Sequence, residues 1–194
     1  VIRAPWLAGA AVLAALALLW WGGRLRPSPD AAAAADARAK LETLADILRT
    51  RNDNDPRLDR EFLGLSPQAK ALFRAKYRAF PRERVNERGT IVYLLGRNLT
   101  APEDWAFFRD VAAEPPCLGL ADCSKPSAAA GEAGDDVTLS YPSLVALRQA
   151  HRAAQEGAPK DEARSVLEAA KTSRARAVRR LASSLEPGFA KKSP

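Results

Sequence analysis

The sequence predicts an all-α protein, with one apolar N-terminal helix followed by a helical body. Alanine, leucine, arginine and glutamate, all strong helix formers, are abundant, while valine, isoleucine and threonine are sparse and form no sustained alternating run. Proline and serine or aspartate pairs recur between the periodic segments, and these are the residues that start helices.

The first element is "APWLAGAAVLAALALLWWGG", about 20 residues without a charge, which as a helix matches a hydrocarbon core about 30 Å thick. Residues 1–23 are therefore expected to form a transmembrane helix, with Trp6, Trp20 and Trp21 at the two headgroup layers. A cleaved secretory signal also has a basic start and an apolar centre, but no small-x-small site closes this run. Arg24 and Arg26 after the span outnumber Arg3 before it, which favours a cytoplasmic body. A single N-terminal span ahead of one larger domain, together with a close cysteine pair, favours export instead. The expectation adopted is a bacterial inner-membrane protein with a periplasmic domain. The alanine- and arginine-rich composition fits a high-GC bacterium.

Residues 24–30 read as a linker, because two prolines and a serine stop the first helix. A helical domain is expected over 31–123. Its first helix places Leu41, Leu44, Ile47 and Leu48 on one face. Asp55 and Pro56 then suit a helix start; a calcium loop begun at Asp53 would need glycine and glutamate where Leu58 and Gly64 stand. Ser66 and Pro67 open a helix whose buried face is Ala69, Leu72, Phe73, Tyr77 and Phe80. After Pro81, Val85, Val92 and Leu99 repeat every seventh residue, with Ile91 and Leu95 in support. Thr100 and Glu103 have capping-box spacing ahead of a helix carrying Trp105, Phe108 and Ala112. From Asp55 to Glu114, "RGTIVYLLGRN" followed by "TAPEDWAFFRDVAAE" resembles the helix pairs of HEAT-type α-solenoid repeats. That resemblance implies pairs in which one helix is buried and the other offers a surface to partner proteins. No internal period runs through the whole chain, so a compact helical bundle stands beside it.

The only cysteines, Cys117 and Cys123, enclose "LGLAD". Two thiols and the single histidine, His151, are too few for a tetrahedral zinc site, and five intervening residues do not make a redox motif. A structural disulfide is expected in an exported domain, and neither metal nor cofactor. Residues 124–138 are small and polar and read as a flexible loop, and 139–186 as C-terminal helices. Ser140 is the expected N-cap, with Leu139 and Leu144 stapled across it and Leu144, Leu147 and His151 on one face. One last helix, "KDEARSVLEAAKTSRARAVRRLASSL", carries acidic residues at its start and basic ones toward its end, and 187–194 form a basic disordered tail.

The chain carries a net charge of +7 and a pI near 9.8. Lys171, Arg174, Arg176, Arg179 and Arg180, with Arg97 on an earlier helix, are the candidate contacts for a partner or for anionic lipid headgroups. Nucleic acid is not expected, because no recognition motif accompanies the charge. No nucleophile is paired with a base in sequence, so no catalytic residue is assigned. These features point to a non-enzymatic accessory or scaffolding subunit of a membrane or envelope complex. Two alternatives remain: an enzyme whose cleft gathers His151 with distant carboxylates, and a cytoplasmic anchored protein whose basic helix binds nucleic acid or anionic lipid.

Overall fold

The computed structural model describes residues 28–52, 54–126 and 134–189; the expected membrane helix, with Trp6, Trp20 and Trp21, lies outside them. Every regular element among the described residues is helical: α1 (Pro29–Thr50), α2 (Arg57–Arg60), α3 (Pro67–Ala79), α4 (Val85–Gly96), α5 (Pro102–Ala113), α6 (Asp136–Leu139), α7 (Tyr141–Gln155), α8 (Lys160–Lys171), α9 (Arg176–Leu185) and a closing 3-10 turn (Glu186–Phe189). None of these helices is long and apolar enough to cross a membrane.

Helix starts follow local chemistry. Ser28 Oγ accepts from the Ala31 amide at 3.2 Å, so the expected linker gives up its last residues to α1. Ser66 Oγ accepts from the Ala69 amide at 3.2 Å, and Asp55 Oδ1 from the Arg57 amide at 2.9 Å. Helix α5 departs from the expectation by one residue. Ala101 stands at its N-cap, and it is the Asp104 carboxylate, not Glu103, that accepts from the Thr100 and Ala101 amides at 3.1 and 3.0 Å. The frame is set from another helix: Lys70 Nζ reaches Asp104 Oδ2 at 2.5 Å and Arg74 donates to Asp104 Oδ1 at 2.7 Å.

The long C-terminal helix expected over 160–185 is two helices. Thr172 Oγ1 donates to the Ala169 carbonyl at 2.8 Å and Ser173 Oγ accepts from the Ala175 amide at 3.2 Å. Side chains that bond nearby backbone in this way compete with the helical ladder. Arg179 then donates to the Ser173 and Arg174 carbonyls at 2.7 and 2.9 Å, closing the turn. The Asp136 carboxylate of α6 accepts from the Ala177 amide and caps the restarted helix. The staple across Ser140 is absent, because Leu139 packs beside the cysteines while Leu144 joins the main core. Ser140 Oγ donates to the Asp136 carbonyl instead of capping α7. Residues 187–189, expected as part of the tail, belong instead to the closing turn: Phe189 is buried and its carbonyl accepts from Arg164 at 2.6 Å, and the rest of the expected tail lies outside the described residues.

Helix α7 organises the bundle and packs on α4, α5, α8 and α9. Helices α4 and α5, which a HEAT-type pair would lay on each other, each lie against α7 instead, and α5 also packs on α8. One continuous apolar core runs from Ala37 in α1 to Phe189, joining the segments on both sides of 124–138. Burial of that surface is the main favourable contribution to folding.

Polar side chains brace the core where α2 to α5 meet. Asn98 is buried, accepts from the Leu65 amide at 2.8 Å, and donates to the Phe62 and Leu94 carbonyls at 2.9 and 2.8 Å. Lys70 also donates to the Asn98 carbonyl and to Thr100 Oγ1, so the buried ammonium is fully used. A second brace joins Arg88 to Glu114 at 2.9 Å, with the Arg88 guanidinium 4.0 Å above the Tyr77 ring and the Tyr77 hydroxyl donating to Glu114 at 3.0 Å. Burial, seconded by the Glu114 charge, pushes the Tyr77 hydroxyl well above its ordinary pKa, so it stays a donor.

Candidate functional site

A groove of about 600 Å³ lies between the 54–59 segment, α4, and the α6–α7 corner. Its floor depends on two glycines of α4 placed seven apart, hence on one face of the helix. A Cβ at Gly89 would overlap the Tyr141 ring, and one at Gly96 would come within 2.5 Å of Gln149 Cβ. Their absence lets α7 approach α4 closely. The stem of Gln149 lies on Gly96, and the cost is that Gln149 Oε1 is buried with no donor.

Tyr93, Asn86 and Thr90 of α4 form one wall, and Tyr141, Val145 and Arg148 of α7 the other. Val137 and Tyr141 keep about half and about two fifths of their surface exposed at the mouth (53% and 39%), an apolar pair that water does not favour. The carboxylates on the third side are already occupied. Hydrogen bonds from Arg57, its guanidinium at 2.7 Å, hold Asp55 below the usual carboxylate range. Asp59 accepts from Arg97 at 2.7 Å and from the Tyr93 hydroxyl at 3.3 Å. Arg148 is exposed and forms no ion pair among the described residues. The groove therefore offers aromatic and aliphatic walls beside a cation, Arg148, that forms no ion pair among the described residues, an arrangement that can seat an apolar side chain flanked by a carboxylate.

The expected site residues fall elsewhere. Arg97 is half-buried, bonded to Asp59 and to the Leu58 carbonyl at 3.3 Å and stacked 5.6 Å from the Tyr93 ring centre, so it is tied to three residues that line the groove. Lys171 is spent on Glu186 at 2.5 Å and Glu168 at 3.1 Å, and those bonds, Glu186 first, raise its pKa. Arg179 closes the α8–α9 turn. Arg174, Arg176 and Arg180 are exposed without an ion pair among the described residues, and Lys171, Arg176, Arg179, Arg180 and Ser183 border a shallow hollow of about 410 Å³ on α9. His151 packs against Gly188 and the Phe189 ring, 5.3 Å between centres, so it faces the C-terminal turn and not the groove.

Cys117 and Cys123 stand at disulfide distance, their Cα atoms 4.2 Å apart, and are buried with Val85. The loop between them is tied on three sides. Cys117 donates its amide to the Leu139 carbonyl at 3.1 Å, Glu83 accepts from the Cys123 amide at 2.8 Å, and Leu118 donates to the Cys123 carbonyl at 3.1 Å. The bond from Cys123 holds the Glu83 carboxyl below its usual range. Through Leu139 the loop supports α6, which supplies Val137 to the groove. Among the described residues no group of three or more histidine, cysteine, aspartate or glutamate side chains is gathered as a metal would require.

The sequence reading missed Tyr93, Tyr141 and Arg148 because the walls come from segments far apart along the chain. The signal that was present is Gly89 and Gly96 at helical spacing, on one face of a helix, which marks a close helix contact. No family model matches the chain, and neither a curated protein nor a solved structure is similar to it at a significant level.

Proposed function

We propose that the protein is a membrane-tethered, non-catalytic helical subunit that binds a partner protein of a membrane or envelope complex in the α4–α7 groove. The observation that carries the reading is the placing of Tyr93, Tyr141 and exposed Val137 beside exposed Arg148, which has no ion pair among the described residues, on a floor preset by Gly89 and Gly96. Tyrosine and arginine are the side chains that concentrate binding energy at protein interfaces, and a preformed site avoids the ordering cost of binding. The preferred occupant is an extended or helical segment presenting an apolar side chain next to Asp or Glu. Tethering rests on the uncharged stretch from Ala4 to Gly23, which would hold the domain at the bilayer and raise the effective concentration of membrane partners.

Native detergent extraction followed by mass measurement tests this. The expected result is an assembly containing a second polypeptide, and Arg148→Glu weakens it by at least about tenfold while leaving the unfolding curve in place. A lone monomer, or an assembly indifferent to Arg148→Glu, contradicts it.

A further inference from the structure

We infer that the outer face of α9 is a second binding surface, one that rests on anionic lipid headgroups. Helix α9 is sharply two-sided. Val178 and Ala182 are buried in the core, while Arg176, Arg179, Arg180 and Ser183 face outward around the shallow hollow. Arg176 and Arg180 are one turn apart, so their guanidinium groups share a face. No carboxylate forms an ion pair with either of them among the described residues: Glu168 and Glu186 are engaged by Lys171, and Asp136, beside the start of α9, accepts from the Ala177 amide. Arg179 is fixed by its bonds to the Ser173 and Arg174 carbonyls, which places a third guanidinium beside them at little further entropy cost.

Break and restart of the chain at 172–175 produce this face. Continued as one helix, Arg174 would lie within or beside the apolar stripe; after the turn it is exposed while Ala175 takes the buried position. The result is a shallow cationic surface without a deep pocket and without aromatic side chains among its lining residues. Such a surface suits a plane of phosphates, whereas single-stranded nucleic acid is usually held on stacking platforms. The same chain carries an uncharged stretch long enough to span a bilayer, which would deliver the face to that plane.

The test uses the full-length chain with an environment-sensitive fluorophore on Ser183→Cys, the native cysteines being paired. Vesicles of phosphatidylcholine alone are compared with vesicles in which part of it is replaced by phosphatidylglycerol. The expected result is a label shift that requires phosphatidylglycerol, fades in high salt, survives Arg176→Lys/Arg180→Lys, and weakens by at least about twentyfold in Arg176→Glu/Arg180→Glu, at about fivefold per basic residue. A label indifferent to phosphatidylglycerol overturns the inference, as does a shift produced by duplex or single-stranded oligonucleotide and not by the lipid. Failure of the chain to join phosphatidylcholine vesicles would count against the tether alone, since the lipid-dependent shift is still measurable on added protein.

Discussion

The α2–α5 half of the molecule and the α7–α9 half are held together differently. In the first, charged and amide side chains are buried and bonded: Lys70, Arg88, Asn98 and Asp104 all lie inside. In the second, the buried polar side chains are only serines, and the helices approach through Ala146, Ala150, Ala163, Ala170, Ala175 and Ala182. Small residues allow close, adaptable packing without any charge to satisfy. The first half therefore buries two cations, Lys70 and Arg88, in bonded braces, whereas the second leaves Arg148, Arg176 and Arg180 at the surface.

The largest expected effect tests the architectural half. Asp104→Ala leaves the Lys70 ammonium buried and short of its main partner, and a loss of about 3–5 kcal/mol is expected in urea unfolding. An effect no larger than that of a surface substitution would break the comparison. Next comes the contact between the halves. Gly96→Val forces Gln149 off α4, with an expected loss of about 1–3 kcal/mol in the same measurement and a weakened partner complex. Opening the cysteine loop with Cys117→Ser is expected to cost about 2 kcal/mol, in line with closure of so short a loop.

Acidification sharpens the comparison locally. The Glu83 carboxyl is held below its ordinary range by the Cys123 amide, so the stabilisation it gives is present above that range and is lost as pH falls through its lowered value. Hydrogen exchange at the Cys123 amide should accelerate with acid beyond the intrinsic trend, and Glu83→Gln should remove that excess. The smallest effect on stability is predicted for the outer half: Arg176→Glu/Arg180→Glu stays within about 0.5 kcal/mol of the parent, because neither guanidinium has an ion-pair partner among the described residues.

Much of the fold could be read from local signals. The Ser66 cap, the Asp55 turn and the Ala69, Phe73 and Tyr77 face depend on residues within one or two turns of each other, and the structure keeps them. What escaped was set at long range. Lys70 shares the helical face of Phe73 and Tyr77, but nothing local points to its partner, because Asp104 lies 34 residues away. The same contact moved the α5 cap from Glu103 to Asp104. Continuous amphipathic spacing from Lys160 to Leu185 hid a break made by the Thr172 and Ser173 side chains, whose competition with the ladder has no period. Arg97 looked like a contact residue by charge, but Asp59 across the α2 turn had claimed it. Of the groove, only the glycine pair left a trace in the sequence.

The most direct measurement is site-specific photocrosslinking in intact cells, with benzoylphenylalanine placed at Asn86 in the groove or at Glu103, which is exposed on α5 outside it. A discrete adduct with a second protein from the Asn86 position, absent from Glu103 and lost on Arg148→Glu, is the predicted result. Equal adducts from both positions, or none from Asn86, would contradict a partner seated between α4 and α7.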